Sequence, residues 1–456
     1  MRKWNKKYKI LKKKKFLKNK FLKVISNKKN KKTTESKSNF NETLELIRGY
    51  IPTLSFLKNK EFFDDKFTFV EKSEERGKTS VNIIIPKFFS IIKNPDEVFN
   101  VLKKLVGIYR EKNIKEISFD YSKCNELELG AVLLKNVICL NLKKQGITMS
   151  GNVPKGDSST IGMFIFSGLY NVLGLDPHKM LKKYDNEPLR LPLFGGGKDF
   201  PDICCKKMES GITETRITTY FNNCLKKFGM SLKEEGERIF DNIISEVMTN
   251  CKEHSGEFNQ YFCLGYLDGF KYSDRYVGKY HFSIFNFGQS IAEGLEESTL
   301  PEKTKIKIDE LIKIHSKKKL FSPTWDRESL LTLYSLQNRV SRVYDQKSTR
   351  GTGTVKFLKA FREVGGTIID GLIPEMSIIS GKTQILIDNS DICSLSPKKQ
   401  VAFNKTNDLE LPPDIRYVKK IDTYFPGTII TMSVYLDKEW VEKKMKKDEK
   451  NETNKT

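Results

Sequence analysis

The run Ser245-Glu246-Val247-Met248-Thr249-Asn250-Cys251-Lys252-Glu253-His254 sets a carboxylate, a carboxamide and an imidazole at steps of four along an otherwise apolar helix pattern. Four-residue steps stack side chains on one face of a helix. At ~100° per residue, Ile239, Phe240, Ile243, Ile244, Val247, Met248 and Cys251 cover about half the circumference. Glu246 falls at the edge of that arc, and Asn250 and His254 fall within it. Polar groups on a burying face need partners, and a metal ion or a nucleotide phosphate is one way to supply them. Glu-x-x-x-Asn also arises by chance in many helices, and a lone His on such a face is more often a satisfied core residue than a ligand.

Three later stretches bear on that choice. His281-Phe282-Ser283-Ile284-Phe285-Asn286-Phe287-Gly288-Gln289-Ser290-Ile291 predicts a strand running into a tight turn where another molecule can approach closely. Ser348-Thr349-Arg350-Gly351-Thr352-Gly353-Thr354 precedes an amphipathic segment reaching Phe361. Small residues opening a helix leave its first amide donors free for an anion. Phe425-Pro426-Gly427-Thr428, followed by alternation through Leu436, predicts a turn and then a strand.

In this order the four pieces resemble the GHKL ATPase superfamily of gyrase, heat-shock chaperones, histidine kinases and mismatch-repair ATPases, over residues 210–437. The resemblance implies ATP and magnesium as cofactors. It implies Asn250 as magnesium ligand and Glu246 as the catalytic base that orients the attacking water. A single carboxamide suffices chemically, because magnesium retains waters and takes phosphate oxygens. The family's Asp-x-Gly-x-Gly motif stands here as Asn286-Phe287-Gly288-Gln289-Ser290, so the adenine-reading Asp is Asn286 and the second glycine is Ser290. A carboxamide still accepts a hydrogen bond from the adenine amine but lacks the charge that strengthens it. Arg350, Gly351, Thr352, Gly353 and Thr354 are implied to hold the phosphates, and Thr428 to support Asn286. The stretch from Glu293 to Val343 takes the position of a lid over ATP and exceeds an ordinary connection in length. Arg342, Lys347 and Arg350 are all candidates to reach a phosphate from it.

The resemblance implies an α/β fold: a GHKL-type two-layer α/β sandwich with a mixed sheet covered by helices. A smaller α/β domain precedes it over residues 78–155. Val81–Pro86, Ile114–Phe119 and Ile147–Ser150 read as strands alternating with helices over Asp96–Tyr109 and Leu129–Leu142. The strand ending in Asp120-Tyr121-Ser122 before a helix containing Gly130 resembles STAS-like domains, which accompany GHKL kinases in bacterial-type signalling; a plain scaffold is the alternative. Residues 156–209 read as a helical connector. Leu193-Phe194-Gly195-Gly196-Gly197-Lys198 is a break in it, without the spacing or the Ser/Thr of a phosphate loop.

With 456 residues, two or three folded units are expected. The net charge is +24, and about two thirds of that excess sits in the segment through Lys32, where sixteen Lys or Arg stand with no acid. Residues 1–40 therefore read as a basic tail, disordered or amphipathic, able to meet an anionic surface of nucleic acid or membrane. Residues 438–456 read as an unstructured charged tail. The eight cysteines form no Cys-x-x-Cys pair and read as reduced thiols of a cytoplasmic protein. No apolar run is long enough for a transmembrane helix, and no Gly-x-Ser-x-Gly elbow or phosphoacceptor helix is present.

Three function classes remain. One is an ATPase or serine/threonine-type protein kinase acting as a conformational switch. Another is a non-hydrolysing nucleotide-regulated interaction module, and the last is a nucleic-acid-binding protein working through its basic tail. The partners open to it are ATP, a protein partner or substrate, and a second copy in a homodimer.

Overall fold

The computed structural model describes residues 72–453 except 76–77, 111–113, 145, 156–157, 168, 170–172, 174–188, 197–209, 254–260, 273, 299, 317–324, 338–339, 341–357, 359–360, 363–364 and 395–399. The basic tail therefore lies outside the described residues. The chain is a mixed α/β protein with both parallel and antiparallel pairing.

The N-terminal part is built on β1 (Lys72–Glu75), β2 (Lys78–Ile84), β4 (Ile114–Asp120) and β6 (Thr148–Gly151), in the order β1-β2-β4-β6. β1 and β2 run antiparallel; β2, β4 and β6 are parallel, joined by crossovers through α1 (Pro95–Arg110) and α2 (Leu129–Lys144). A small parallel pair, β3 (Phe88–Phe89) with β5 (Glu126–Leu127), lies beside it. α2 is buried on every side from Leu129 to Leu140. A helix apolar all round has structure all round it, and this one packs near β4 on one side and the larger sheet on the other. Even Lys135 is enclosed, its Nζ 3.8 Å from the Phe119 ring centroid.

After α3 (Ser158–Phe166) comes β7 (Leu189–Gly196), then α4 (Ser210–Lys227) and α5 (Glu234–Glu253). β8 (Tyr261–Tyr272) and β9 (Arg275–Phe287) form a hairpin, followed by α6 (Ile291–Glu296), α7 (Glu302–His315) and α8 (Arg327–Ser335). β10 (Glu375–Ile387) and β11 (Val418–Leu436) complete a five-stranded sheet, β10-β11-β9-β8-β7. Tyr280, Phe282 and Ile284 of β9 share one core with Ile217, Phe221, Phe240, Ile244, Val247 and Met248 of α4 and α5. Phe221 stacks on Phe240 at 4.6 Å between ring centroids.

Four expectations need correction. The larger sheet is antiparallel throughout its described pairs, not mixed, because β11 lies between β9 and β10 and runs against both. It is also covered on both faces rather than forming two layers: α4 and α5 pack on one face, and α1 and α2 of the N-terminal part on the other. Phe99 of α1 stacks on Phe425 at 5.9 Å, and the Gln384 Nε2 donates to the carbonyls of Ile91 at 2.8 Å and Ile92 at 3.1 Å.

The connector expected to be helical contributes strand β7, which pairs with β8 as an edge. Leu189, Leu191 and Leu193 alternate, and Pro192 sits where the register shifts between Leu191 and Phe194, a position where a missing N–H does no harm. Finally, the C-terminal segment expected to be unstructured forms α9 (Lys438–Thr453). Asp437 caps it by accepting from Glu439 N at 3.0 Å, and Lys444 Nζ donates to Arg362 O at 2.8 Å. Among the described residues no helix is long and apolar enough to cross a membrane.

Candidate functional site

Directly paired residues on adjacent antiparallel strands point to the same face of a sheet. Tyr261 pairs with Asn286, Asn286 with Thr428, and Thr428 with Ser380, so one row crosses β8, β9, β11 and β10. Because Asn286 follows Tyr280, Phe282 and Ile284 at steps of two, the row faces the layer containing α4 and α5. The backbone of Glu246 and Asn250 lies one turn apart in α5, on either side of the buried Val247 and Met248 that anchor this helix to the sheet. The structure thus brings α5 onto the face that carries Asn286 and Thr428; the side chains of Glu246 and Asn250 lie outside the described residues.

Two glycines lie beside this row. Gly288 N donates to Pro426 O at 3.1 Å. Gly427 has φ +135, and a Cβ there would strike the Asn286 carbonyl oxygen. Only glycine takes that conformation without strain, so the approach of β9 to β11 depends on it.

Asn286 is 1 % exposed, and its Nδ2 has no hydrogen-bond partner among the described residues. Thr428 is fully engaged on one side. Ser380 Oγ donates to Gly427 O at 2.8 Å, lies 2.8 Å from Thr428 Oγ1, and accepts from Ile291 N at 2.8 Å. With the serine proton on Gly427, the Thr428 hydroxyl is the donor to Ser380, and its lone pairs remain as acceptors.

Ser290 takes another part. It is the N-cap of α6, its hydroxyl accepting from Glu293 N at 3.2 Å while Glu293 Oε2 accepts from Ser290 N at 2.7 Å. A capping box needs that hydroxyl, so the serine at 290 serves the start of this helix. Tyr424 donates to the other Glu293 oxygen at 2.7 Å, and burial pushes the tyrosine pKa well up. Glu328 at the start of α8 accepts from Lys382 N at 2.6 Å, and burial raises its carboxyl pKa. Ser380 was invisible to motif reading, because cross-strand register alone brings it to Thr428.

Arg342, Lys347, Arg350, Gly351, Thr352, Gly353, Thr354 and His254 lie outside the described residues. Beyond them Leu358 and Phe361 are helical and buried in the same core as α4 and α5. Among the described residues no group of three or more His, Cys, Asp or Glu is placed to hold a metal. A magnesium ion in this site would rest on Asn250 and on oxygens brought by a nucleotide. The unpaired Asn286 donor, close to a hydroxyl with free acceptor capacity, fits the polar edge of a nucleobase. No family model matches the chain, and no match was found among curated proteins or solved structures.

Proposed function

We propose that residues 210–437 form a magnesium-dependent ATP-binding module of the GHKL type that works as a conformational switch, with ATP hydrolysis or phosphotransfer to a protein as its chemical outcome. The observation that carries this reading is the in-register pairing of Asn286 with Thr428 on the sheet face covered by α5. In this reading Asn286 meets the base, Thr428 accepts from it, and Gly288 and Gly427 permit close approach. The first amides after Arg350 hold the phosphates, Asn250 holds magnesium, and Glu246 orients water or a substrate hydroxyl. Magnesium supplies neutralisation of the phosphate charge. The STAS-like N-terminal part is then the element through which nucleotide state reaches a protein partner.

One feature favours a switch that does not depend on turnover. Thr428 is joined through Ser380 to the first amide of α6, so a ligand that moves the threonine moves the helix that opens the lid segment.

Titration calorimetry with magnesium-ATP on wild type, Asn250→Ala and Glu246→Ala, followed by a turnover assay, tests the proposal. The expected outcome is binding by wild type, weakened binding by Asn250→Ala, and retained binding with lost turnover in Glu246→Ala. Equal affinity in Asn250→Ala removes the metal assignment, and normal turnover in Glu246→Ala removes the base. Absence of binding in wild type removes the reading as a whole. Deleting residues 1–33 and measuring salt-dependent nucleic-acid binding tests the basic tail separately.

A further inference from the structure

We propose that the C-terminal ends of β2, β4 and β6 form a docking surface for an acidic protein segment that carries apolar anchors. This names a surface for the protein partner invoked above, and it stands whether or not the larger sheet binds a nucleotide. Ligands of open α/β sheets gather outside the carboxyl ends of the parallel strands, and a small-molecule crevice opens where the strand order reverses. Here the crossovers step one way, from β2 to β4 to β6. What these ends offer is therefore a surface.

The surface comprises residues 84–88, 120–126 and 152–155, and hydrogen bonds tie the three loops together. Asn152 accepts from Tyr121 N at 2.6 Å and donates to Asp120 Oδ1 at 2.8 Å. Ile85 N donates to Asp120 O at 2.9 Å, and Asn125 N donates to Lys87 O at 2.9 Å. A platform held in this way loses little freedom when a partner binds. One large apolar side chain from each of two strand ends, and one from β3, stand open on it: Ile84 is 53 % exposed, Phe88 39 % and Val153 37 %. Lys87, Lys123 and Lys155 lie in the same loops, with Lys87 Nζ 5.3 Å from the Phe88 ring centroid. Of the acids in these loops, Glu126 is held by Lys93 at 2.9 Å, and Asp120 gives Oδ1 to Asn152 and to Ser122 N. The three lysines leave the surface positive.

Charge selects the occupant. The chain through Lys32 holds sixteen Lys or Arg and no acid, so its own N-terminal segment is repelled. A second copy meeting the same patch across a two-fold axis would set lysines against lysines. Single-stranded nucleic acid is bound on aromatic stacking platforms, whereas Ile84 and Val153 are aliphatic. A bilayer is flat, and this patch turns a corner. Ile84 lies on the exposed side of β2, opposite the buried Ile83 and Ile85, while Phe88 and Val153 lie past the strand ends. A peptide can follow that turn, cover the three apolar groups and set carboxylates against the lysines.

The experiment follows hydrogen exchange in the full chain, which reads each loop separately and so does not register binding to the basic N-terminal segment. The probes are a short synthetic peptide of glutamate and leucine, a glutamate and serine peptide of equal charge, phosphatidylserine vesicles and a single-stranded oligonucleotide. The proteins are wild type, a variant combining Lys87→Glu, Lys123→Glu and Lys155→Glu, and a variant combining Ile84→Ser and Phe88→Ser. The glutamate and leucine peptide is expected to protect all three loops of wild type. Its half-protecting concentration is expected to rise at least about tenfold in each variant, and the serine peptide is expected to need at least about tenfold more than the leucine peptide. Absence of protection in wild type, equal potency of the two peptides, or an unchanged midpoint in the lysine variant overturns the inference. Stronger protection of the same loops by vesicles or by the oligonucleotide also overturns it, in favour of a membrane or a nucleic acid. The comparison of probes on wild type decides the matter even if a variant fails to fold.

Discussion

Thr428 and Thr431 stand three residues apart on β11 and face opposite ways. The Thr428 hydroxyl pairs with Ser380 Oγ, and its cross-strand neighbour Asn286 leaves Nδ2 unpaired. The Thr431 hydroxyl donates to the buried carboxylate of Glu128, which also accepts from Gly130 N at 2.6 Å, Ala131 N at 3.1 Å and Ile91 N at 3.3 Å. On the face toward the N-terminal part, a buried charge is surrounded by donors. On the face toward α5, a buried amide lacks an acceptor. The closed cluster ties the N-terminal part to the sheet, while unpaired buried atoms stand on both faces, Asn286 Nδ2 on one and His281 Nε2 and Gln384 Oε1 on the other. One strand serves as the floor of both.

Breaking the closed cluster is expected to have the largest effect. In Glu128→Ala three backbone amides and a threonine hydroxyl lose their acceptor together, at about 1–3 kcal/mol for each group that water cannot reach. Partial relaxation leaves an expected loss of about 4 kcal/mol of stability, measured by denaturant unfolding. A change below about 1 kcal/mol would show that the N-terminal part is not docked through this cluster.

Glycines on the two faces sharpen the contrast. Gly427→Ala combines a left-handed φ with a Cβ placed on the Asn286 carbonyl, a backbone atom that cannot step aside. The expected cost is about 3 kcal/mol, with nucleotide binding abolished. Gly130, at the start of α2, permits that helix to approach β11; a Cβ there meets Ile91 Cδ1 at 2.8 Å and Thr431 Cβ at 3.1 Å. The end of a side chain yields more readily than backbone, so Gly130→Ala is expected to cost less and to leave nucleotide affinity unchanged. Equal loss of binding in both variants would erase the distinction between the faces.

A pH titration compared between wild type and a His281 variant probes the docked face. His281 is buried against Tyr266, with ring centroids 4.6 Å apart, and its Nδ1 lies 2.8 Å from Ser433 Oγ. Burial, with a contribution from the Lys279 charge, holds its pKa well below the usual imidazole value. The unfolded chain therefore takes up the proton first as pH falls. This contribution to stability is full above about pH 6.5 and is lost on acidification, by about 1.4 kcal/mol per pH unit until the folded pKa is reached. Unfolding measured between about pH 7 and pH 5 should show that slope in wild type and a shallower one in His281→Gln.

How much of this was legible in the sequence varies along the chain for physical reasons. The alternation of β2, α1, β4, α2 and β6 was readable because each element carries a local period, and the observed bounds differ from the expected ones by a few residues. Asn286 and Thr428 were readable as a pair because motif order encodes it. β7 was obscured by Pro192, Gly195 and Gly196, which locally read as a break and become a strand only when β8 supplies a partner. α9 has a polar surface almost all round and acquires its order from Asp437, from Lys444 on Arg362 and from Trp440 lying where Gly366 leaves room. Ser380 carried no local signal. It reaches Thr428 across 48 residues of sequence, and the register is set by the irregularity at Gly381, whose φ is +57.

Ser380→Ala is the smallest of these perturbations and the most discriminating, because Ser380 touches no proposed ligand atom. Removing its hydroxyl leaves Ile291 N and Gly427 O without this partner and frees the Thr428 proton to turn toward the site. The expected stability cost is about 1 kcal/mol, with ATP affinity reduced by about threefold as the threonine loses its fixed acceptor orientation. The decisive measurement is protection of the α6–α8 segment from protease or hydrogen exchange when ATP is added. If base contact reaches the lid through Thr428 and Ser380, saturating ATP protects that segment in wild type and fails to do so in Ser380→Ala. Equal protection in the two proteins would mean that the lid answers to the phosphates alone, leaving the hydroxyl pair a purely structural tie between β10, β11 and the start of α6.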